Sequence, residues 1–514
     1  MNGTLADRLR CPALEDRLLG ADAAAALIGD GMCVAVSGFT PAGCPKAVPL
    51  ALAGQVRRGE RKLRLTLFSG ASTGEELDSA WAECGVIARR APYMTSKALR
   101  AAVNGGAAEE IAYTDVHLGE VAQNARCGFF GKIDVALIEA AAITEEGKLV
   151  PTTALGCSQT WIDLAERVIV EINLTQPAAL EGFHDVYRVA DPPRREPIPL
   201  TAPGQRIGVP YLSCPLEKIA AVVVSDCEEK PRPLPPADEV SGAIARNIVS
   251  FLLREKEQGR LSADSVPLQS GVGAVANAVL LGLKDSPLGH LSFYSEVMQD
   301  GVLDLIDAGK ADFASATSLS LSKEGLTRLF ADIERYRGKL VLRDSEISNS
   351  AELIRRLGVI AMNTAVEADI YGNVNSSQMN GTTVYNGIGG SGDYARSALI
   401  SIFMTPSVAK GGKISCIVPM VTHVDHTEHD VDVLVTEQGL ADLRGRSPKE
   451  RARLIIENCA HPDYRAALRA YFEEACAVTH GAQTPHILSE SFGFHESLAR
   501  KGTMREETKG ETTR

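Results

Sequence analysis

Two acidic residues in this chain stand where a carboxylate could act on an electrophile. Glu296 lies in Ser292-Phe293-Tyr294-Ser295-Glu296-Val297-Met298-Gln299-Asp300-Gly301, just past a short apolar run. The pattern reads as a strand that ends and a helix that begins, with Ser295 as the N-cap. Glu296 is then expected at the carboxyl edge of a parallel sheet, where open α/β sheets bind ligands. A carboxylate there can attack an activated acyl group, or it can complement a helix dipole from the first turn. Glu437, in Val435-Thr436-Glu437-Gln438-Gly439, follows a strongly apolar strand and poses the same choice between a sheet-edge acid and a helix-capping residue.

Glycine-rich loops supply a second kind of chemistry. Gln269-Ser270-Gly271-Val272-Gly273 follows a strand and opens a helix. Glycines in that position let backbone N–H groups approach an anion at the positive helix end. The spacing is not that of a dinucleotide fingerprint, because Ala276 stands where the third glycine would be, and no phosphate-loop lysine follows. A tight βα turn is the plainer alternative. The loop Asn386-Gly387-Ile388-Gly389-Gly390-Ser391-Gly392-Asp393 carries four glycines in six residues. Glycine gives up side-chain packing and costs chain entropy, so a close approach of ligand to backbone is the stronger reason for such a run. A third stretch, Thr422-His423-Val424-Asp425-His426-Thr427-Glu428-His429-Asp430, looks at first like a metal site. Metal ligands must converge, whereas histidines three apart alternate faces on a strand. Its β-branched neighbours favour extended chain, and a polar, hydrogen-bonded loop beside a strand is the expectation, with no metal assigned.

These residues need elements to hold them. Short runs at Cys33–Val36, Leu63–Phe68, Val135–Ile138, Val168–Ile172 and Ala220–Val224 read as buried strands, being brief and rich in β-branched residues. Helical patterns at 23–28, 46–57 and 96–103 fall between them. The second half repeats the grammar, with a long amphipathic helix at 241–258, strands at 266–268, 291–294 and 340–342, and late helices at 451–458 and 464–474. Strand, loop, helix, strand predicts mainly parallel open sheets. Residues 225–238 hold four prolines and read as a linker. The expected division is an N-terminal α/β domain over 1–224, the linker over 225–238, a C-terminal α/β domain over 239–500, and a charged flexible tail over 501–514. Val34-Ala-Val-Ser-Gly-Phe and Val266-Pro-Leu-Gln-Ser-Gly open the two halves alike and suggest a duplicated domain.

Composition narrows the function. The 514 residues carry 65 acidic and 53 basic side chains, a net charge of −12, with no basic cluster of the sort nucleic acid binding needs. Eleven scattered cysteines include no C-x-x-C pair, which fits reduced thiols in the cytosol better than zinc or a disulfide framework. The first residues carry an early acid and no apolar segment of the signal-peptide kind, and no apolar run reaches the roughly 18 residues of a membrane span. A cytoplasmic protein without a membrane partner is expected.

Together, Ser37-Gly-Phe-Thr-Pro-Ala-Gly-Cys-Pro-Lys-Ala-Val-Pro, the 269–278 loop, 294–301, Glu346-Ile-Ser-Asn349, 380–396 and 422–445 resemble the acetyl-CoA hydrolase/transferase family, within the class I CoA-transferases. The resemblance runs from about residue 17 to about residue 495. It implies two fused CoA-transferase-like α/β domains, commonly in a homodimer. It implies that Glu296 attacks an acyl-CoA thioester, passing through an acyl-glutamyl anhydride and a glutamyl-CoA thioester. No permanently bound cofactor is implied; coenzyme A is a substrate, and the partners are acyl-CoA and small carboxylates. By the same resemblance Gly390 matches the oxyanion donor, and Ser72, Asn349 and Glu437 match polar residues of the carboxylate pocket. Gln269, Ser270, Gly271, Val272 and Gly273 match a loop lining the acyl and CoA site, with Gly389, Asn386 and Lys410 also on the CoA side. Exchange of succinyl-CoA and acetate for acetyl-CoA and succinate is the expected reaction. Hydrolysis of acetyl-CoA and exchange between propionyl-CoA and succinate are the alternatives. Cys44 departs from the aromatic residue that the family often carries in the first of these stretches.

Overall fold

The computed structural model describes residues 4–231, 236–261 and 266–505. In chain order its first strands are β1 (Cys33–Val36), β2 (Leu65–Phe68), β3 (Ile87–Ala91), β4 (Ala112–Tyr113), β5 (Val135–Ala140), β6 (Arg167–Asn173), β7 (His184–Asp185) and β8 (Ile219–Ser225). Seven of them form one sheet in the order β8-β6-β5-β1-β2-β3-β4, and every pairing in it is parallel. Its central strands are buried along their whole length, as a sheet covered on both faces requires. That burial is why they read as unbroken apolar runs. Helix α1 (Ala47–Arg57) follows β1 and presents Val48, Leu52 and Ala53 to the core.

The second sheet is built from β9 (Val266–Ser270), β10 (Leu291–Tyr294), β11 (Ala311–Ala316), β12 (Leu340–Arg343), β13 (Ile360–Thr364), β14 (Ile400–Met404), β15 (Val433–Thr436) and β16 (Gly439–Asp442). Their order is β16-β15-β14-β13-β9-β10-β11-β12-β7. All pairs are parallel except the β15–β16 hairpin at one edge. The other edge is β7, a strand from the first half that pairs with β12. Residues 192–210, which hold six prolines, run beside this edge before the chain returns to β8, the Pro203 carbonyl accepting from Arg343 Nη2 of β12 at 3.2 Å. Helices α2 (Glu239–Glu257) and α3 (Ala274–Asp285) contribute Ile244, Ile248, Val279 and Leu283 to the core on this sheet. Asp238 caps α2, its carboxylate accepting from the Ser241 N–H at 2.8 Å.

Two mainly parallel α/β sheets in one chain match the expected fold class. Of the segment 225–238, residues 232–235 lie outside the described residues. Near the C-terminus, Met504 is buried and its N–H donates to the Lys413 carbonyl at 2.8 Å. Residues 506–514 of the expected tail lie outside the described residues. No helix among the described residues is long and apolar enough to cross a membrane.

Candidate active site

Glu296 lies just beyond the carboxyl end of β10. No helix begins at Ser295, contrary to the expectation: the chain continues into a two-residue strand, Val297–Met298, paired with Ser318–Leu319, and helix α4 (Asp300–Asp307) starts with Gln299 as its cap. The reason is local. Ser295 Oγ is taken up across the sheet, donating to the Ser270 carbonyl at 3.1 Å, and the branched Val297 suits an extended chain. Glu296 is thereby held in a turn, its own carbonyl accepting from the Thr317 N–H at 2.9 Å.

The Glu296 carboxylate is half-buried and faces Asn349, whose Nδ2 donates to Oε2 at 2.8 Å. Burial pushes the Glu296 carboxyl up to about 7, while the Asn349 hydrogen bond pulls it back toward the charged form. The same Nδ2 lies 3.1 Å from Asp393 Oδ2, so the two N–H bonds of one amide serve two carboxylates. Burial pushes Asp393 up to about 8, against the bonds from Gly119 and Asn349. Asn349 ends the short helix α5 (Ser345–Ser348). The last carbonyls of that helix are closed by two buried tyrosines: Tyr294 from β10 donates to Ile347, and Tyr394 donates to Ser348 at 2.6 Å. These bonds answer the free carbonyls of a helix end and fix where Asn349 points.

The glycine-rich loop crosses directly over Glu296. A Cβ added at Gly390 would stand 1.8 Å from Glu296 Oε2 and 2.6 Å from Asn349 Nδ2, so only glycine fits. Gly389 has φ +60, the left-handed region where glycine is unstrained. Among the described residues, no acceptor lies in hydrogen-bonding geometry to the Gly389 or Gly390 N–H. First-half residues hold the loop from outside. Tyr113 Oη donates to the Asn386 carbonyl at 2.7 Å, and Asp115 Oδ2 accepts from the Ile388 N–H at 2.7 Å. Gly119 donates to Asp393 Oδ2 at 3.0 Å.

These elements line a cleft of about 1210 Å³, a volume that includes open solvent at its mouth. Of the expected residues, Glu296, Ser72, Gln269, Ser270, Gly271, Val272, Asn386, Gly389 and Gly390 line it, and Asn349 joins through its bond to Glu296. Ser72 Oγ and Asn386 Oδ1 are buried and, among the described residues, without a partner. Buried polar atoms are nearly always satisfied, so unpaired ones in a cleft wall mark where a polar ligand or water sits. Gln269 also braces the wall, its Oε1 accepting from the Met362 N–H at 3.0 Å. Gly273, Glu437 and Lys410 are not in this wall. Gly273 has φ +119 and caps α3. Glu437 occupies the β15–β16 turn, where the Ser407 N–H donates to its Oε2 at 2.8 Å. Burial opposes its charge, but the bonds from Ser407 and Gln438 hold the carboxyl below the usual range. Lys410 lies in the hairpin joining Val408–Ala409 to Ile414–Ser415. In the histidine stretch, His423 and Asp425 approach to 3.3 Å and His426 is buried.

Sequence reasoning passed over Asp393, Tyr294 and Tyr394 as actors, although all three stand inside or beside the motifs it singled out. Tyr113, Asp115 and Gly119 gave no local signal, for they meet the loop across 273–274 residues of chain.

Comparison with known proteins gives the family and the fold. The family model for the acetyl-CoA hydrolase/transferase N-terminal domain matches residues 9–224, and that for the C-terminal domain matches 325–472. The chain is 51% identical to the succinyl-CoA:acetate CoA-transferase of Clostridium kluyveri over 97% of its own length and 92% of that protein's. It is 43% identical to the acetyl-CoA hydrolase of Yarrowia lipolytica, over 98% of this chain and 99% of the relative. Among solved structures, the 4-hydroxybutyrate CoA-transferase of Porphyromonas gingivalis superposes with a TM-score of 0.62 at 22% identity, covering 89% of this chain and 98% of that one, a likeness of fold. With both domain models matched in order, and with identity this high along nearly the whole length, the chain belongs to the acetyl-CoA hydrolase/transferase family.

Proposed function

We infer that this protein is a CoA-transferase that moves CoA between small carboxylic acids, with Glu296 as the nucleophile. The observation that carries the reading is the pairing of a half-buried carboxylate with an amide donor beneath a glycine turn, in a cleft whose wall holds unpaired polar atoms. Glu296 Oε attacks the thioester carbonyl of an acyl-CoA, and its electrons move onto the carbonyl oxygen. The resulting oxyanion needs preorganised donors, and the Gly390 N–H is assigned that role. Collapse breaks the C–S bond, releasing CoA thiolate and leaving an acyl-glutamyl anhydride. The thiolate then attacks the glutamyl carbonyl and expels the first carboxylate, giving a glutamyl-CoA thioester. An incoming carboxylate reverses both steps and departs as the new acyl-CoA. One thioester replaces another, so the exchange is close to thermoneutral, and CoA serves as substrate throughout.

The Clostridium relative's activity supports succinyl-CoA and acetate as the substrate pair. The Yarrowia relative supports a second reading, in which water resolves the covalent intermediate and free CoA is released. Family resemblance supports a homodimer, and the scattered cysteines without a C-x-x-C pair support a reducing compartment such as the cytoplasm. The deciding experiment supplies succinyl-CoA with and without acetate and follows acetyl-CoA and free CoA. Acetyl-CoA formed only with acetate, with little free CoA, is the expected result. Free CoA released equally without acetate makes the protein a hydrolase.

A further inference from the structure

The histidine stretch at 422–430 has no part in the scheme above, yet it reaches the glycine-rich loop. His426 is 1% exposed. Its backbone is bonded both ways to Val374, N to O at 3.0 Å and O to N at 2.8 Å. Its ring packs on Phe403 with centroids 4.6 Å apart. The imidazole is thus fixed in place, and its Nε2 lies 3.0 Å from Ser391 Oγ and 3.4 Å from Ser376 Oγ.

The direction of the closer bond follows from proton counting. Ser391 has one hydroxyl proton, and it is donated to the Ile388 carbonyl at 2.6 Å. Ser391 Oγ is therefore the acceptor toward His426, and Nε2 carries the hydrogen. A neutral ring is the natural state here, since burial holds His426 down to about 4 against the pull of Asp425 and Asp430.

The Ser391–Ile388 bond spans two residues, Gly389 and Gly390. Glycines have the widest backbone freedom of any residue, so their order must come from bonds; the Gly390 carbonyl accepts from the Tyr394 N–H at 3.1 Å, and the remaining restraints stand on the flanks. On one flank the Ile388 N–H is held by Asp115 at 2.7 Å. On the other stand Ser391 and, behind it, His426. Packing at Gly390 does not allow a side chain to replace this restraint, because even a Cβ would meet Glu296.

We propose that His426 is a positioning residue for acyl transfer: its Nε2–H holds the Ser391 hydroxyl on the Ile388 carbonyl and so fixes the Gly389–Gly390 N–H groups where the oxyanion forms. This rests on the reading of Glu296 as nucleophile and Gly390 as oxyanion donor. It gives the motif a use that involves no metal ligation.

The test compares His426→Phe, which keeps the ring on Phe403 and deletes the donor, with His426→Gln, whose side-chain N–H can replace Nε2–H. Ser391→Ala removes the intermediary, and thermal melting reports folding of each variant. His426→Phe is expected to lose about tenfold in kcat, less than the roughly hundredfold or more of deleting an oxyanion donor outright. KM for acyl-CoA and carboxylate should stay within about twofold, the mark of an interaction made only in the transition state. His426→Gln should recover most of the loss. The His426→Phe/Ser391→Ala double variant should be no worse than the poorer single one, because the two act in series. Wild-type kcat in His426→Phe, equal losses in the Phe and Gln variants, additive losses in the double variant, or a raised KM at constant kcat would each overturn the proposal. If His426→Phe does not fold, Ser391→Ala carries the test with the same kcat and KM criteria. Intact-protein mass spectrometry separates the two levels. Absence of a CoA adduct in wild type given acyl-CoA defeats the nucleophile reading itself. An adduct that forms at the wild-type rate in His426→Phe defeats only the role of His426.

Discussion

In the proposed mechanism Glu296 must be charged to attack, and its surroundings work against that charge. Burial pushes its carboxyl up to about 7, with the Asn349 bond the counterweight. The reactive form is the carboxylate, so kcat/KM is expected to rise with pH to a plateau, with an apparent acid-limb pKa near 7 rather than in the ordinary carboxylate range. Well below that value the rate should fall about tenfold per pH unit. Asn349→Ala deletes the bond that favours the charge, so the limb should move to higher pH as kcat falls; a pH–rate profile of each enzyme checks both. A limb that stays put in Asn349→Ala would mean that the amide does not tune the nucleophile. Glu296→Gln should abolish transfer and leave no CoA adduct in a mass spectrum, with the fold intact. At this scale the sequence was informative about identity and silent about pairing. Glu296 and the glycines stood out by type and neighbourhood, and Asn349 entered by resemblance. That one amide joins Glu296 to Asp393 depends on α5 meeting the glycine loop, which no spacing along the chain displays.

At the scale of elements, the site is a set of turns at the carboxyl ends of parallel strands. The glycine loop is its least tolerant part. Gly390→Ala would drive a methyl group into Glu296 Oε2 and Asn349 Nδ2. With the N–H proposed as oxyanion donor displaced, we expect kcat to fall by as much as about 10²–10³, the scale seen when such a donor is removed, while circular dichroism and Tm stay near wild type. An active Gly390→Ala enzyme would show that the loop yields. Sequence reading of the elements worked where burial is two-sided and chemistry is uniform, as in β1, β5, β6, β8 and β10. It missed β3, Ile87–Ala91, because two of its five residues are arginines. Arg90 is fully buried all the same, since Asp78 meets it at 2.9 Å, and a long-range ion pair leaves no periodic trace. It placed a helix at Ser295 because serine before an acid is a capping pattern. The Ser270 carbonyl, offered by a strand 25 residues earlier, claimed that hydroxyl instead.

At the scale of the whole molecule, the two halves of the chain build one site together. The first half lends β7 to the edge of the second sheet, clasps the glycine loop through Tyr113 and Asp115, and holds α5 through Arg126. That last contact is bidentate, Nη1 and Nη2 lying 2.8 and 2.9 Å from the Glu346 carboxylate, and Arg195 adds a third bond at 3.0 Å. Glu346 sits on α5, three residues before Asn349, and its side chain is only 6% exposed. The three-way contact spans 220 and 151 residues of chain, which is why the linker and domain signals in the sequence gave no hint of it. Glu346→Ala should cost about 2–4 kcal/mol, because it leaves two part-buried guanidinium groups short of a partner; Arg126 keeps Asp191 at 2.8 Å, which limits the loss. Arg57→Ala is the control, since its pair with Glu83 is about half exposed on both sides and should be worth under about 1 kcal/mol. Urea unfolding should show a lower midpoint at unchanged slope for Glu346→Ala and almost none for Arg57→Ala. If α5 delivers Asn349 as the geometry indicates, kcat of Glu346→Ala must fall as well, under conditions where the variant is fully folded. A variant that loses stability and keeps full kcat would show that Tyr294 and Tyr394 suffice to set α5, and that the clasp between halves serves the fold without serving the chemistry.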